Sequence, residues 1–215
     1  MPQKQIMRNS PREYVYDKVT DPLPFYYFPL IGKLYRKRVE LCLELLPCGG
    51  RVLEIGFGSG LCMPNLNVLY NDLHGIDLNS DCQAVANTFS VQGITANLIN
   101  GSVVNLPYPD NYFDAILLVS ILEHLKNDEL ELSFGEIRRV LVDGGTMVYG
   151  VPVERPFMTF SFRLLGCKIR EHHFSTNTEI AAVSGKYLVH KEQRLLGLLP
   201  WNSLTVYEAQ RFMKN

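Results

Sequence analysis

Apolar residues recur at steps of three and four between Ile31 and Leu46, which predicts an amphipathic helix ended by Pro47 and Gly49-Gly50. Beyond this helix, short apolar runs alternate with helix-period stretches. Such alternation is typical of an α/β fold, in which strands and helices follow one another. Strands are predicted at 52–55, 73–77, 95–99, 113–119, 146–151, 187–193 and 203–210, with a turn at 199–202 between the last two.

Helices are predicted between these strands. The helix after Gly60 should be short or irregular because it contains Pro64, and the last helix begins at Thr176, three residues before Glu179, as in a capping box. The run 113–119 is apolar after its acid, so helices should cover both faces of that strand. Another helix covers 84–89. The helix before the fifth strand has an apolar face of Leu132, Phe134, Ile137, Val140 and Leu141.

A glycine loop follows the first predicted strand. Residues 52–60 are V-L-E-I-G-F-G-S-G, so glycine stands at every second position from Gly56 to Gly60. Glycines remove Cβ atoms where the chain must turn sharply, and a ligand can then touch the backbone. A dinucleotide fingerprint, G-x-G-x-x-G, would place glycine at position 61, which is Leu61. The spacing disfavours a dinucleotide, and the alternative is a purely structural turn.

An acid ends the second predicted strand. Asp77 stands 21 residues after Gly56, about the offset at which nucleotide-binding sheets place a carboxylate for ribose hydroxyls. The alternative is that Asp77 caps the next helix, because Asn79, Ser80 and Asp81 follow it and all are good cap residues.

Polar residues also follow the strand 113–119. Ligands bind at the carboxyl ends of strands in open parallel sheets, so Ser120, Glu123 and His124 are candidates by position. His124 could serve as a base, because histidine titrates near neutral pH, or it could simply bond to its own backbone. His172 and His173 are further candidates. Only Glu171 stands beside them as a possible metal ligand, so a solvated loop is favoured over a metal site.

These segments together resemble the class I S-adenosylmethionine-dependent methyltransferases, in particular the small-molecule branch similar to the enzymes of ubiquinone and menaquinone biosynthesis. The resemblance covers about 50–152 and rests on E-x-G-x-G-x-G at 54–60, N-G-S-V-V-N-L-P-Y at 100–108, I-L-E-H-L at 121–125 and L-V-D-G-G at 141–145. It implies S-adenosylmethionine as the cofactor. It also implies a seven-stranded, mostly parallel, doubly wound sheet of order 3-2-1-4-5-7-6, with a C-terminal antiparallel hairpin.

The resemblance implies a set of site residues. Glu54 and Gly56 would meet the ammonium group of the cofactor, Asp77 its ribose, and Ser102 with the backbone of Val103 its adenine. Ser102 stands where the family usually has aspartate, which weakens that contact. The full cofactor-binding set is Glu54, Gly56, Phe57, Gly58, Gly60, Asp77, Leu78, Ser102, Val103 and Ser120, and the candidate bases are His124, His172 and His173.

The first thirty residues contain five prolines and six aromatic residues. The resemblance suggests a lid over the substrate side, and an arm that stabilises the sheet is equally consistent. Interfacial membrane contact is a third possibility, because a basic segment follows at 33–38. We therefore divide the chain into an arm, 1–30, and a methyltransferase domain, 31–215. Tyr14, Tyr16 and His124 are expected to share the acceptor pocket with His172 or His173.

The composition of the chain argues against several other classes of protein. There are 21 Lys and Arg against 22 acids, and no basic stripe indicates nucleic acid as a partner. Five scattered cysteines without C-x-x-C suggest neither a disulfide framework nor a zinc site, and hence a reducing, cytoplasmic location. No signal peptide or membrane-spanning run is predicted, so stable membrane insertion is not expected.

The leading hypothesis is therefore an S-adenosylmethionine-dependent methyltransferase with a small-molecule acceptor. One alternative is a nicotinamide-dependent oxidoreductase on a similar sheet, which Leu61 disfavours. The other is a non-catalytic protein that binds S-adenosylmethionine. The acceptor and the oligomeric state stay open, because fold alone does not supply a substrate.

Overall fold

The computed structural model of the chain describes residues 5–16, 21–29, 31–153, 174–197 and 204–215. Short 3-10 helices within these ranges lie at Pro11–Glu13, Leu23–Tyr27 and Leu122–His124. The α-helices are α1 (Ile31–Leu45), α2 (Met63–Leu69), α3 (Cys82–Ser90), α4 (Asn127–Val140) and α5 (Asn177–Tyr187). The strands are β1 (Gly49–Ile55), β2 (Tyr70–Asp77), β3 (Ala96–Asn100), β4 (Phe113–Val119), β5 (Leu141–Pro152), β6 (Val189–Gly197) and β7 (Thr205–Met213).

The seven strands form one sheet of order β3-β2-β1-β4-β5-β7-β6. Strands β1 to β5 pair in parallel, and β7 is antiparallel to both β5 and β6. The predicted sheet, its order and its C-terminal hairpin are confirmed. Because the carboxyl ends of parallel strands meet at one edge, the segments that follow β1 to β4 are brought together there.

Helices cover both faces of the sheet, as predicted. Neighbouring residues of β1 show the two faces: Val52 belongs to one hydrophobic cluster and Leu53 to the other, and both are fully buried. Helices α1, α2 and α3 contribute to the first cluster, whereas α4 and α5 contribute to the second. Burial on both faces explains why the central strands are nearly continuous apolar runs.

Several details of the predicted elements are confirmed. Helix α2 is short, with Pro64 in its first turn. Thr176 caps α5 in a capping box: its hydroxyl accepts from the Glu179 N–H, and the Glu179 carboxylate accepts from the Thr176 N–H at 2.8 Å.

Other predicted boundaries are wrong. Strands β1 and β2 begin at Gly49 and Tyr70 rather than at positions 52 and 73, and Tyr187 ends α5 instead of opening β6. Leu132 is 59% exposed. It lies two residues before the buried Phe134, which is about 200° around a helix and therefore on the opposite side.

Strand β5 also begins earlier than predicted. It runs from Leu141, which the sequence pattern assigns to the preceding helix, through residues 143–145, the expected link between that helix and the strand. The register against β4 shifts between the pair Phe113–Leu141 and the pair Ala115–Thr146. Gly144, with φ of 76°, lies inside this irregular stretch. The glycines thus lie within one long strand, where its pairing with β4 is irregular. The predicted turn at 199–202 lies outside the described residues.

The described part of the arm packs on the domain. Ile6, Leu23 and Tyr26 are buried in the first hydrophobic cluster. The Met7 N–H donates to Asn65 Oδ1 on α2 at 2.9 Å, and Asn65 Nδ2 donates back to an arm carbonyl at 3.1 Å. The arm therefore shares the core of the domain. None of the helices in the described ranges is long and apolar enough to cross a bilayer.

Candidate functional site

The loop after β1 turns through three glycines in the left-handed region. Gly56, Gly58 and Gly60 have φ of 75°, 52° and 74°. Side chains rarely adopt this conformation. At Gly60, a Cβ would also lie 2.5 Å from the ring of Phe89 on α3. Gly60 therefore allows close helix packing, a structural role distinct from the ligand contact predicted for it.

Two carboxylates accept hydrogen bonds from the backbone of this loop. Asp77 Oδ2 accepts from the Gly58 N–H at 3.0 Å, and Asp21 Oδ2, from the arm, accepts from the Ser59 N–H at 2.8 Å. In a dinucleotide-binding loop, such N–H groups donate to a pyrophosphate. Here the protein's own acids take them, so this part of the sheet edge carries negative charge.

Asp77 lies at the sheet edge and does not cap α3. Its second oxygen accepts from the N–H groups of Asn79 and Ser80, at 2.9 and 3.0 Å. The cap is Asp81, which accepts from the Ala84 N–H at 3.0 Å. The helix-cap interpretation of Asp77 is wrong.

Glu54 lies buried at the end of β1, with 3% of its surface exposed. Its Oε2 has no hydrogen-bond partner among the described residues. Burial raises the pKa of Glu54 to about 8; a hydrogen bond with Cys62 opposes this, and the carboxylates of Asp77 and Asp21 add to it. Burial raises the pKa of Asp21 as well. Three acids thus cluster at this loop, an arrangement that favours a cation.

Arg38 supplies positive charge to the same edge of the sheet. It reaches from α1 to the end of β4, where its guanidinium donates to Ser120 Oγ. It lies over the rings of Tyr35 and Tyr207, at 4.8 and 4.5 Å from their centroids. The Arg38 Nε has no partner among the described residues. A buried guanidinium with an unused N–H is suited to an anionic group.

Ser120 and Tyr207 complete this cluster. Ser120 has φ of 57° and its hydroxyl lies 3.2 Å from the Tyr207 hydroxyl. Burial raises the pKa of Tyr207, so its hydroxyl stays neutral. Ser120 was predicted at the site, whereas Arg38 was missed. The sequence does contain a sign of this role. Arg38 lies three residues after Tyr35 and four before Cys42, so it is a charged residue on the otherwise apolar face of α1.

The residues predicted near the adenine lie beside Asp77. The Asp77 carbonyl accepts from the backbone N–H that precedes Ser102, at 3.0 Å. Leu78 is 66% exposed and so presents an apolar side chain at this edge. Val103 and Phe57 are buried, each in a hydrophobic cluster. Their side chains belong to the core, and only their backbone atoms are left for a ligand.

The predicted bases are less well placed. His124 is exposed at the end of the 3-10 turn after β4, and its backbone N–H donates to the Ile121 carbonyl at 3.0 Å. His172 and His173 lie outside the described residues. The proposed roles of all three stay predictions.

The two tyrosines expected in the acceptor pocket do not line one cavity. Tyr14 is buried against Phe89 of α3, with ring centroids 6.1 Å apart, so it faces the core instead of a cavity. Tyr16 lines a groove within the arm, together with Leu23 and Tyr27. The arm contributes Asp21 to the site, which sequence reasoning missed because nothing local marks that acid.

Comparison with known proteins identifies the central part of the chain. Residues 53–149 match the family described as "Methyltransferase domain". The chain is 28% identical over 123 residues to the ubiquinone biosynthesis O-methyltransferase of Paraburkholderia phymatum, covering 56% of this chain and 51% of that one. It is 34% identical over 102 residues to the demethylmenaquinone methyltransferase of Tropheryma whipplei, covering 46% and 41%. The chain spans about half the length of the curated relatives it matches.

The fold is shared with solved methyltransferases. The N-methyltransferase NodS from Bradyrhizobium japonicum, solved in complex with S-adenosyl-L-homocysteine, superposes with a TM-score of 0.66. The match covers 92% of this chain and 93% of that one at 16% sequence identity, so it concerns the fold alone. The predicted resemblance to the class I methyltransferases is confirmed by the matched domain and by this fold.

Proposed function

We propose that this chain, whose residues 53–149 form a methyltransferase domain on the class I fold, transfers a methyl group from S-adenosylmethionine to a small-molecule acceptor. The observation that carries the proposal is the charge at the glycine loop. Asp77 and Asp21 already accept from the loop N–H groups that a pyrophosphate would need. A cationic ligand without phosphate is therefore favoured.

The residues present fit the methionine end of S-adenosylmethionine. This end carries a sulfonium, an ammonium and a carboxylate. Asp77 and Asp21 would favour the two cations. Burial keeps a proton on Glu54 up to about pH 8, and a nearby ammonium would favour its loss, which would leave the unpartnered Oε2 as an acceptor. The unpartnered Nε–H of Arg38 would bind the carboxylate.

The adenosine end would extend from β2 towards β3. Asp77 would accept from the ribose hydroxyls, and each of its oxygens can accept more than one hydrogen bond. The exposed Leu78 would cover one face of the adenine. Ser102 and the backbone of Val103 would bind its polar edge.

For methyl transfer, the main task of the protein is to position the acceptor next to the cofactor. The bound cofactor supplies a methyl group on a positively charged sulfur, which is an excellent leaving group. The protein must hold the acceptor atom in line with that bond and exclude water. A hydroxyl acceptor would lose a proton during transfer, and His124 is a candidate to take it. The roles of His172 and His173 rest on the chemistry of histidine, which titrates near neutral pH, and on their place in the chain after β5.

The acceptor class follows from the relatives only as a proposal. Two of them are named for ubiquinone biosynthesis and for demethylmenaquinone. We therefore take a quinone-type small molecule as the first acceptor class to test. The acids at the glycine loop oppose the nicotinamide alternative, as does Leu61, which is buried in the core at the third fingerprint position.

Titration calorimetry with S-adenosylhomocysteine and with NADH tests the cofactor. We expect binding of the first and much weaker binding of the second; the reverse result would overturn the proposal. Transfer of labelled methyl groups to a panel of quinone precursors then tests turnover. Tight cofactor binding with no transfer to any acceptor in the panel would favour the non-catalytic alternative.

A further inference from the structure

The 3-10 turn Leu23–Tyr27 and the residues after it leave large apolar side chains in solvent. Phe25 is 44% exposed and Phe28 is 52% exposed. Ile31, at the start of α1, is 50% exposed. The Phe25 ring stacks on Tyr35 at 5.3 Å between centroids and lies 6.2 Å from Phe28. These rings therefore form one connected apolar surface instead of isolated exposed residues.

Positive charges lie close to this surface. The guanidinium groups of Arg8 and Arg36 both donate to the Tyr26 carbonyl, at 3.1 and 2.6 Å. Arg8 also lies over the Tyr27 ring, 5.0 Å from its centroid. Neither arginine forms an ion pair with a carboxylate of the described residues, nor does the exposed Lys33. Like charges that converge without a counter-ion favour an anionic partner.

The size of the apolar surface limits the kind of partner. Taking 150–250 Å² for a whole aromatic side chain, Phe25, Phe28 and Ile31 together expose roughly 300 Å². A stable protein–protein interface needs about 800 Å² on each side. Attachment to a bilayer needs only a few inserted apolar side chains, supported by basic residues near anionic headgroups. The surface is therefore better matched to lipid than to a folded protein.

We propose that this surface, formed by Phe25, Phe28 and Ile31 with Arg8, Lys33 and Arg36, rests on an anionic lipid bilayer. The aromatic rings would enter the headgroup region, while the cations stay near the lipid phosphates. This attachment is peripheral and reversible, and it does not depend on the proposed methyl transfer. The same arm carries Asp21 to the glycine loop, so the bilayer would lie against the segment that reaches the candidate site.

Co-sedimentation of the full chain with vesicles tests the proposal. We expect binding to vesicles of phosphatidylcholine mixed with phosphatidylglycerol, weaker binding to phosphatidylcholine alone, and a loss of binding as salt is raised. The double variant Phe25→Ser, Phe28→Ser should lower the partition coefficient at least about tenfold. Lys33→Gln should lower it about fivefold on the anionic vesicles only.

A matched control uses two exposed apolar residues outside the arm. Val91 and Leu132 are 85% and 59% exposed, and the double variant Val91→Ser, Leu132→Ser should bind vesicles as the unchanged chain does. Thermal unfolding of each variant shows that the fold is kept. If loss of the Phe25–Tyr35 stacking unfolds the arm in the double variant, the single variant Phe28→Ser replaces it in the vesicle assay.

Three results would overturn the proposal. The first is no binding to either vesicle. The second is binding that the Phe25 and Phe28 substitutions leave unchanged, or that the control lowers equally. The third is self-association of the chain in sedimentation equilibrium, abolished by the same substitutions in the absence of vesicle binding, which would make this surface an interface between two copies.

Discussion

The two sides of the candidate site differ in charge: the glycine-loop side is acidic, whereas the side at the end of β4 combines the cation Arg38 with the buried acid Glu123. The glycine-loop side holds Asp21, Glu54 and Asp77, whereas the side at the end of β4 holds Arg38 with its unused Nε–H. A ligand that spans both sides must be dipolar, with its cation at the loop and its anion at the arginine. A dinucleotide would put a pyrophosphate at the loop, against the acids. This difference between the two sides, more than the glycine spacing, favours S-adenosylmethionine over a nicotinamide dinucleotide as the cofactor.

The largest expected effect concerns the proton on Glu54. Its pKa is raised to about 8 in the folded chain from an ordinary 4.5, so its contribution to stability is complete below pH 4.5 and is lost as pH rises through 8. Between these limits, the free energy of unfolding of the unchanged chain should fall by about 4 kcal/mol relative to Glu54→Gln. Denaturant unfolding across this pH range measures the difference. Parallel curves for the two proteins would show that Glu54 is not buried as an acid.

The next effect concerns Asp77. Asp77→Ala removes the acceptor for the Gly58 N–H and for the ribose hydroxyls, so S-adenosylhomocysteine should bind about 2–4 kcal/mol more weakly. Calorimetry measures this loss. Asp81→Ala is the control: it removes the cap of α3, should lower stability by about 1 kcal/mol and should leave binding unchanged. Equal binding losses in both variants would mean that Asp77 acts only through the fold.

A smaller effect is expected from Asp21. Asp21→Asn keeps the shape of the side chain but removes its charge, so the cationic S-adenosylmethionine should bind about tenfold more weakly. The exposed arm acid Glu13 provides the control variant Glu13→Gln. If Asp21→Asn binds S-adenosylmethionine as tightly as the control does, the arm contributes no charge to the site.

The residues of the site also differ in how far the sequence could predict them. The glycine loop and Asp77 belong to one strand-loop-strand segment, so their spacing is visible along the chain. Arg38 meets Ser120 across 82 residues of sequence, and Asp21 meets Ser59 across 38, so no local pattern joins either pair. Contacts of this kind depend on how α1 and the arm pack on the sheet.

A similar contrast holds for the fold. Strand β4 was predicted with its observed bounds, because a strand buried on both faces is a continuous apolar run. The strand order was implied by family resemblance, not by periodicity. The predicted start of β5 was wrong because glycines at 144–145 are as typical of an irregular strand as of a link between elements. Only the pairing with β4 distinguishes the two.

One calorimetric comparison tests the dipolar site most directly. S-adenosylhomocysteine and 5′-methylthioadenosine share the adenosine part, but only the first has the ammonium and the carboxylate. The unchanged chain should bind S-adenosylhomocysteine more tightly, and Arg38→Gln should weaken that binding by about 1.5–3 kcal/mol while leaving 5′-methylthioadenosine unaffected. If Arg38→Gln weakens both ligands equally, or neither, Arg38 does not hold the carboxylate and the two-sided account of the site is wrong.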